Sequence, residues 1–210
     1  MLLYLVRHGQ SLYNAERRIQ GQIDVRLSPF GLRQGAALAA AFRSLTIDAI
    51  YASPLARAHE TAELIAAPLG LPIHADDRLK EINAGVFQGV LWTEIEQHSP
   101  DLAIRWREQN PDFVIPGGES RRALAERGRA AFEAIYAAGH RAAIVVAHGG
   151  VLAGALKSLL GIPMENNPFS FYNASISKLS WDRRIKLLTL NQLDHLAAAG
   201  LDESDSTGDL

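Results

Sequence analysis

The chain has 210 residues, enough for one α/β domain with a full hydrophobic core and an inserted cap. Its 21 Lys and Arg and 23 Asp and Glu give a net charge of −2, so neither a nucleic-acid nor a membrane partner is predicted. The sequence contains no cysteine, which excludes disulfides, thiolate metal sites and a cysteine nucleophile, and no apolar run approaches the roughly 20 residues of a membrane helix.

Two apolar segments far apart in the chain end in the same dipeptide, His-Gly. Residues 2–9 read Leu-Leu-Tyr-Leu-Val-Arg-His-Gly, and residues 142–149 read Ala-Ala-Ile-Val-Val-Ala-His-Gly. Short runs of aliphatic and β-branched residues indicate strands buried on both faces, as in a parallel sheet covered by helices. Ligands of such sheets bind beyond the carboxyl ends of the strands. We therefore interpret His8, His148 and the neighbouring Arg7 as a candidate reaction centre.

A polar loop follows the first strand and contains Asn14, Gln20 and Gly21. This loop is too long for a simple turn, and loops of such length in compact domains tend to be functional. After the loop, Ser28 followed by Pro29 is typical of a helix start, and it predicts a helix of about four turns.

A second buried strand is predicted over residues 47–52, and Ser53-Pro54 repeats the helix start signal. Counting from Ser53 as the N-cap places Arg57 in the first turn. A cation there opposes the helix dipole at a cost of about 0.3–1 kcal/mol. An anion bound at this strand-to-helix junction would explain Arg57, and an exposed Arg with a surface partner is the alternative.

Residues 73–119 are broken by several Pro and Gly residues and carry short helical patterns around 92–98 and 102–108. We interpret about 83–119 as a cap folded over the strand ends. The large aromatic residues of this cap are expected either to form apolar walls or to pack against the core: Trp92, Trp106 and Phe113.

The rest of the chain returns to regular patterns. Ser120 predicts the N-cap of a helix to about Ala138, and a further helix follows His148-Gly149. Residues 175–181 and 185–190 indicate a hairpin. Residues 197–210 are small and acidic, which predicts a disordered tail.

The unusual polar positions favour phosphoryl chemistry: Arg7, His8, Asn14, Arg57, Glu81 and His148. Two Arg and one protonated His would neutralise a phosphoryl group of about −1.5 to −2 charge, so no metal is required. A neighbouring cation lowers the pKa of His8 and keeps it neutral, which makes it the candidate nucleophile. Spacing alone leaves Glu81, Glu119 and Glu165 as candidates for the general acid and base.

Two other interpretations of these residues stay open. One is a metal site made of His8, His148 and an acidic residue, although Arg7 and Arg57 would place cations beside the metal. The other is a binding module that holds a phosphorylated ligand. Such a module needs the two Arg but neither a neutral His nucleophile nor a carboxylate.

Four motifs in chain order resemble the signatures of the histidine phosphatase superfamily, the phosphoglycerate mutase-like proteins. They are Leu-Val-Arg-His-Gly-Gln-Ser at 5–11 with Asn14, Ser-Pro-Leu-Ala-Arg-Ala at 53–58 with Thr61-Ala62, the loop at 79–89, and Val-Ala-His-Gly-Gly at 146–150. The resemblance implies a three-layer α/β/α sandwich with a mostly parallel sheet. We expect one such domain over residues 1–196, with the cap inserted at about 83–119 and the tail after it.

The resemblance also assigns roles to residues of this chain. It implies that His8 is the phosphorylated nucleophile and that Glu81 is the acid and base, which decides among the three glutamates. The implied phosphate-binding residues are Arg7, Asn14, Arg57 and His148. The residues implied to contact substrate are Gln20, Gly21 and Gly149.

Within this family, the resemblance separates phosphatases from mutases. Cofactor-dependent mutases carry Arg directly after the catalytic Glu and a paired-Arg motif in the cap, whereas Ile82 follows Glu81 here. Pro-Gly-Gly-Glu-Ser at 116–120 is similar to the broad-specificity phosphatase branch, although Phe87-Gln88-Gly89 departs from the Trp-Glu-Gly common there. Arg121-Arg122, at a helix start, is interpreted as solvated surface.

We therefore expect a phosphomonoesterase that hydrolyses small phosphorylated metabolites through a phosphohistidine, with no metal or other cofactor. A phosphoglycerate mutase is the alternative enzyme. The expected partner is the small phosphorylated substrate, and a homodimer is left open. Because the strand predicted from Leu2 leaves no room for a signal peptide, we expect a cytoplasmic protein.

Overall fold

The computed structural model describes residues 1–201, and in that range six strands form one mixed sheet. The strands are β1 (Leu2–Arg7), β2 (Ala49–Ala52), β3 (Ile73–Ala75), β4 (Ala142–Ala147), β5 (Ile176–Trp181) and β6 (Ile185–Gln192). Their order is β3-β2-β4-β1-β5-β6; the first four are parallel, β5 pairs antiparallel with β1, and β6 pairs antiparallel with β5. β1 and β4 are neighbours with Arg7 opposite Ala147, so His8 and His148 follow at the same sheet edge.

Helices cover both faces of the sheet. Those within the described range are α1 (Leu12–Ala15), α2 (Pro29–Phe42), α3 (Ala56–Leu69), α4 (Trp92–His98), α5 (Pro100–Arg107), α6 (Arg121–Ala137), α7 (Gly149–Leu160) and α8 (Asp194–Ala198). Along β1, Leu3 and Leu5 pack into the core formed with α6 and α7, and Tyr4 and Val6 pack into the core formed with α2, α3 and α8. This alternation is what a central strand of a covered sheet requires. The expected three-layer α/β/α arrangement is confirmed.

The sequence signals for helix ends are confirmed at α2, α6 and α7. The hydroxyls of Ser28 and Ser120 accept backbone N–H groups in the first turns of α2 and α6. Gly161 adopts a left-handed conformation, with φ of 68°, directly after α7.

The predicted start of α3 at Ser53 is wrong. The helix begins at Ala56, and its N-cap is Leu55, which has no side-chain oxygen. Ser53 instead lies fully buried, and its hydroxyl bonds to the ring of His148. Arg57 nevertheless falls in the first turn, because the helix begins one residue before it.

The chain after residue 196 also differs from the prediction. The tail was expected from residue 197, but α8 continues to Ala198, and Leu201 is buried against the α2–α3 side of the core. Apolar burial therefore fixes this part of the chain. The remainder of the predicted tail, 202–210, lies outside the described residues. No helix within residues 1–201 is both long enough and apolar enough to cross a membrane.

Candidate active site

A cavity of about 630 Å³ opens beside His8, directly after β1. It lies at the sheet edge where the carboxyl ends of the parallel strands are found. Most of the predicted site residues line it: His8, Asn14, Gln20, Gly21, Arg57, Glu81 and Gly149. Arg7 and His148 are fully buried and do not line the cavity. Trp92 and Trp106 of the cap contribute to its wall, whereas Phe113 is buried under Arg105 and does not.

His8 is held in one tautomer by its surroundings. Its Nδ1 lies 2.7 Å from the carbonyl oxygen of Gly9, and because a carbonyl only accepts, Nδ1 carries the proton. Nε2 then accepts from Nε of Arg57 at 3.3 Å. Burial, followed by the charges of Arg57 and Arg7, holds the pKa of His8 well below its usual value of 6.5. The ring is therefore neutral at neutral pH, with the lone pair on Nε2.

The two guanidinium groups beside His8 are fixed by backbone carbonyls. Arg57 donates from Nη2 to Gly21 at 2.8 Å and from Nη1 to Ile23 at 3.1 Å. Arg7 donates from Nη1 to Phe171 at 2.5 Å. Both Arg side chains are almost completely buried, so the alternative of an exposed Arg57 is wrong. Such fixed, desolvated cations suit the binding of an anion.

His148 packs against His8, with ring centroids 5.0 Å apart. Its Nε2 lies 2.8 Å from the hydroxyl of Ser53. Burial, then the charge of Arg57, lowers the pKa of His148 well below 6.5, so the expected protonated histidine is neutral in this structure. A bound phosphoryl dianion would act in the opposite direction, since a nearby negative charge favours the imidazolium.

Glu81 lies at the N-terminus of α7, with its carboxylate held by backbone N–H groups. Oε2 accepts from Gly150 at 2.9 Å, and Oε1 accepts from Ile82 at 2.8 Å and from Val151 at 3.2 Å. A Cβ at Gly150 would overlap Oε1 of Glu81, so this close approach needs glycine. A helix N-terminus also favours a carboxylate electrostatically.

The other two glutamates considered from the sequence are placed differently. Glu119 forms an ion pair with Arg127 at 2.7 Å and accepts the backbone N–H of Asn83. Its carboxylate therefore stabilises the loop that follows Glu81. Glu165 is exposed and does not line the cavity. Of the three, the structure places Glu81 in the cavity wall.

The polar loop after β1 forms another part of the cavity wall. Ser11 caps α1 and donates its hydroxyl to Gln20 at 2.7 Å, while Oδ1 of Asn14 accepts the backbone N–H of Ser11 at 3.1 Å. Gly21 has a positive φ of 54°, which glycine adopts without strain, and directs its carbonyl to Arg57. The loop thus orients polar side chains and one site guanidinium.

Sequence reasoning missed several residues at the site. The prediction of a solvated Arg121-Arg122 pair is wrong for Arg121, since only Arg122 is exposed. Arg121 keeps 8% of its surface exposed, stacks on Trp106 and lines the cavity, because the indole of Trp106, near the end of α5, lies against the start of α6. Ser53 was missed because Ser-Pro is a strong helix-start signal. No local pattern marks its contact with His148.

Among residues 1–201, no group of three or more His, Cys, Asp or Glu side chains could hold a metal ion. The three-ligand metal site considered from the sequence is therefore not assembled by these residues. Instead, Nε2 of His8 faces the guanidinium of Arg57.

Nearly the whole chain is similar in sequence to known proteins. The sequence model of the "Histidine phosphatase superfamily (branch 1)" matches residues 3–192. A Hydrogenobacter thermophilus protein named "Putative phosphoserine phosphatase 2" is 35% identical over 196 residues, which cover 92% of this chain and 96% of that protein. A Klebsiella pneumoniae protein named "Probable phosphoglycerate mutase GpmB" is 36% identical, covering 96% of this chain and 97% of its own length.

Solved structures are similar over the same range. A mycobacterial glucosyl-3-phosphoglycerate phosphatase, in a complex with VO3, has a TM-score of 0.83 and 34% identity, covering 91% of this chain and 99% of that one. The Bacillus stearothermophilus protein YhfR has a TM-score of 0.86 and 28% identity, and the match covers 93% of this chain and 98% of YhfR.

Proposed function

Because this chain belongs to the histidine phosphatase superfamily, branch 1, we propose that it is a metal-independent phosphomonoesterase that works through a phosphohistidine at His8. The observation that carries the proposal is the hydrogen bonding of His8. Since Nδ1 donates to the carbonyl of Gly9, the lone pair for attack on phosphorus is on Nε2. The lowered pKa of His8 keeps that lone pair unprotonated at neutral pH.

In the first step, Nε2 of His8 attacks the phosphorus of a phosphomonoester, and a P–N bond forms as the P–O bond to the leaving group breaks. In the substrate complex, the protonated form of Glu81 gives its proton to the leaving oxygen, which departs as an alcohol. The proposed ligands of the three transferring oxygens are Arg7, Asn14, Arg57 and His148. Guanidinium groups match these oxygens in geometry and offset their charge.

In the second step, water attacks the phosphorus of the phosphohistidine. The carboxylate of Glu81 takes a proton from that water, the P–N bond breaks, and its electron pair returns to Nε2 of His8. Phosphate leaves, and Glu81 carries its proton again. The cycle returns both residues to their starting forms without a further reactant.

The size of the cavity and the names of similar proteins support a small phosphorylated metabolite as the substrate. Pockets for small ligands span roughly 300–1,000 Å³, and this cavity measures about 630 Å³. Similar proteins carry names that refer to phosphoserine, phosphoglycerate and glucosyl-3-phosphoglycerate. Gln20, Gly21 and Gly149 are proposed to contact the substrate beyond its phosphoryl group.

A phosphoglycerate mutase is the second candidate, favoured by the 36% identity to a relative of that name. In a mutase, the phosphohistidine would pass its phosphoryl group to another hydroxyl of the substrate rather than to water. The products therefore separate the two functions. A phosphatase releases phosphate from phosphoglycerate, whereas a mutase interconverts its isomers.

The test measures phosphate release from a panel of phosphomonoesters, in the presence of a chelator, for the native protein and for His8→Ala. We expect turnover that survives the chelator and falls at least about 10³-fold in His8→Ala, since covalent catalysis depends on this nucleophile. His59→Ala is the matched control, because His59 is a partly exposed histidine of α3 that pairs with Glu63. It should keep native turnover.

Three results would replace the proposal. Isomer exchange without phosphate release would favour the mutase. Binding of phosphate esters without turnover by the native protein would favour a binding module. Loss of turnover on chelation would contradict a metal-independent mechanism.

A further inference from the structure

A second cationic cluster lines the cavity away from His8. Its members are Arg121, the first residue of α6, and Lys157, near the end of α7. Their exposed fractions are 8% and 4%. Neither side chain takes part in the proposed phosphoryl transfer, so their burial beside the cavity calls for another explanation.

The hydrogen bonding of these two cations is incomplete. Arg121 donates from Nη2 to the carbonyl of Trp106 at 3.0 Å, but its buried Nη1 has no hydrogen-bond partner among the described residues. Lys157 donates to the carbonyl of Met164 at 3.0 Å, a neutral partner. No carboxylate of residues 1–201 lies within ion-pair distance of either side chain.

Two other cations that line the cavity differ in this respect. Arg107 pairs with Glu96, and Arg18 pairs with Glu16 at 2.9 Å. Their charges are offset within the protein. Arg121 and Lys157 thus differ from Arg107 and Arg18 as buried cations with no carboxylate of residues 1–201 within ion-pair distance.

Placing the charge of Arg121 here is unfavourable for the fold alone. A buried unpaired donor on a charged group costs free energy, and a cation in the first turn of a helix opposes the helix dipole. Burial lowers the pKa of Arg121 to about 10, so the guanidinium stays charged at neutral pH. Burial and then the charge of Arg121 lower the pKa of Lys157, while Glu165 raises it. An anion between them would offset both charges.

We propose that Arg121 and Lys157 form a second anion subsite, which binds a carboxylate or a second phosphoryl group of the substrate. The inference rests on the proposed function, because it names the substrate class of that same cavity. The guanidinium carbon of Arg121 lies 3.2 Å from the ring centroid of Trp106. This stack holds the guanidinium group in place and leaves its Nη1 for the ligand. The preferred substrates are thus phosphomonoesters that carry a further anionic group.

The experiment compares matched substrate pairs that differ in one anionic group. One pair is 3-phosphoglycerate and glycerol 3-phosphate, which tests a carboxylate; the other is fructose 1,6-bisphosphate and fructose 6-phosphate, which tests a second phosphoryl group. The native protein should prefer the more anionic member of at least one pair. Arg121→Met should lower kcat/KM for that member about 10- to 100-fold and change the other less than about threefold, as expected for one hydrogen bond to a charged group.

Two further variants keep the result interpretable. Arg122→Met removes the neighbouring exposed Arg, which pairs with Asp112, and should leave both members of each pair unchanged. Lys157→Met removes the second cation without touching the stack on Trp106, so it reports on the subsite even where Arg121→Met folds poorly. Equal effects of Arg121→Met and Lys157→Met on both members, or a native protein without preference, would overturn the proposal.

Calorimetric binding of the same four compounds separates this proposal from the proposed function. A binding preference that depends on Arg121, without phosphate release by the native protein, would support the subsite and contradict the phosphatase. Phosphate release with binding that ignores Arg121 would support the phosphatase and overturn the subsite.

Discussion

Gly150 shows how one missing side chain positions a proposed catalytic group. Its N–H donates to Oε2 of Glu81, and a Cβ at this position would overlap Oε1. Gly150→Ala should therefore displace the end of Glu81, a flexible side chain, without disturbing the backbone. We expect kcat to fall about 100-fold, the lower range for loss of general acid–base catalysis. The free energy of unfolding should stay unchanged or rise by up to about 1 kcal/mol, since alanine favours a helix over glycine.

The control for Gly150→Ala is a double-mutant cycle with Glu81→Gln. If the glycine acts through Glu81, the double variant should be no slower than Glu81→Gln alone. Steady-state kinetics and thermal melting of the four proteins measure both quantities. Additive losses in kcat would contradict the proposed positioning role.

At the residue scale, strand ends were the informative signal in the sequence. Runs of apolar residues ending in His8 and His148 predicted two imidazoles at one sheet edge, and the register of β1 with β4 confirms that placement. Ser53 could not be predicted, because its hydroxyl bonds to a histidine 95 residues away rather than capping the next helix. The burial of Arg121 could not be predicted for a similar reason, since it depends on the position of Trp106, 15 residues earlier in the chain.

The loop that carries Glu81 is braced by helix α6. Arg127 donates from Nη1 to the carbonyls of Arg78 and Lys80, and from Nη2 to the carbonyl of Glu81 at 2.8 Å. Its pair with Glu119 holds the guanidinium in this orientation. Arg127→Met should loosen residues 79–83 and lower kcat about 10-fold, with a loss of about 1–3 kcal/mol in stability for hydrogen bonds to a charged group.

The Arg127 prediction is checked by amide hydrogen exchange across residues 79–83 together with kinetics. Arg129→Met is the matched control on the same helix, because Arg129 is exposed and pairs with Glu133 at 2.7 Å. It should leave both readings unchanged. Faster exchange in Arg127→Met with native kcat would show that the brace stabilises the loop but does not position Glu81.

At the element scale, segments with an apolar pattern were predictable, and two short segments without one, β3 and α1, were not. α2, α6 and α7 each combine apolar periodicity with a start or stop residue, and their predicted positions are confirmed. β3 was missed because it has three residues with mostly exposed side chains and is defined by backbone pairing with β2. α1 has four residues within a polar loop, where no apolar face exists to reveal a helix.

For the whole molecule, the buried histidines couple folding to pH. Burial, and then neighbouring cations, hold the pKa values of His8 and His148 well below 6.5. In the unfolded chain both titrate near 6.5. Below that pH the unfolded state binds more protons than the folded state, so stability falls as pH falls, until the folded pKa values are reached. His195, whose pKa burial also lowers, acts in the same direction.

Denaturant unfolding should therefore show a loss of about 2 kcal/mol between about pH 7.5 and about pH 5.5, where carboxylates stay ionised. Each of the two site histidines contributes a slope of up to about 1.4 kcal/mol per pH unit. His148→Asn should remove its share of that slope. Sulfate, a dianion throughout this range, should stabilise the protein and flatten the slope, because an anion beside the imidazoles raises their pKa values. A slope that sulfate leaves unchanged would contradict an anion site beside His8 and His148, and with it the electrostatic basis of the proposed phosphoryl transfer.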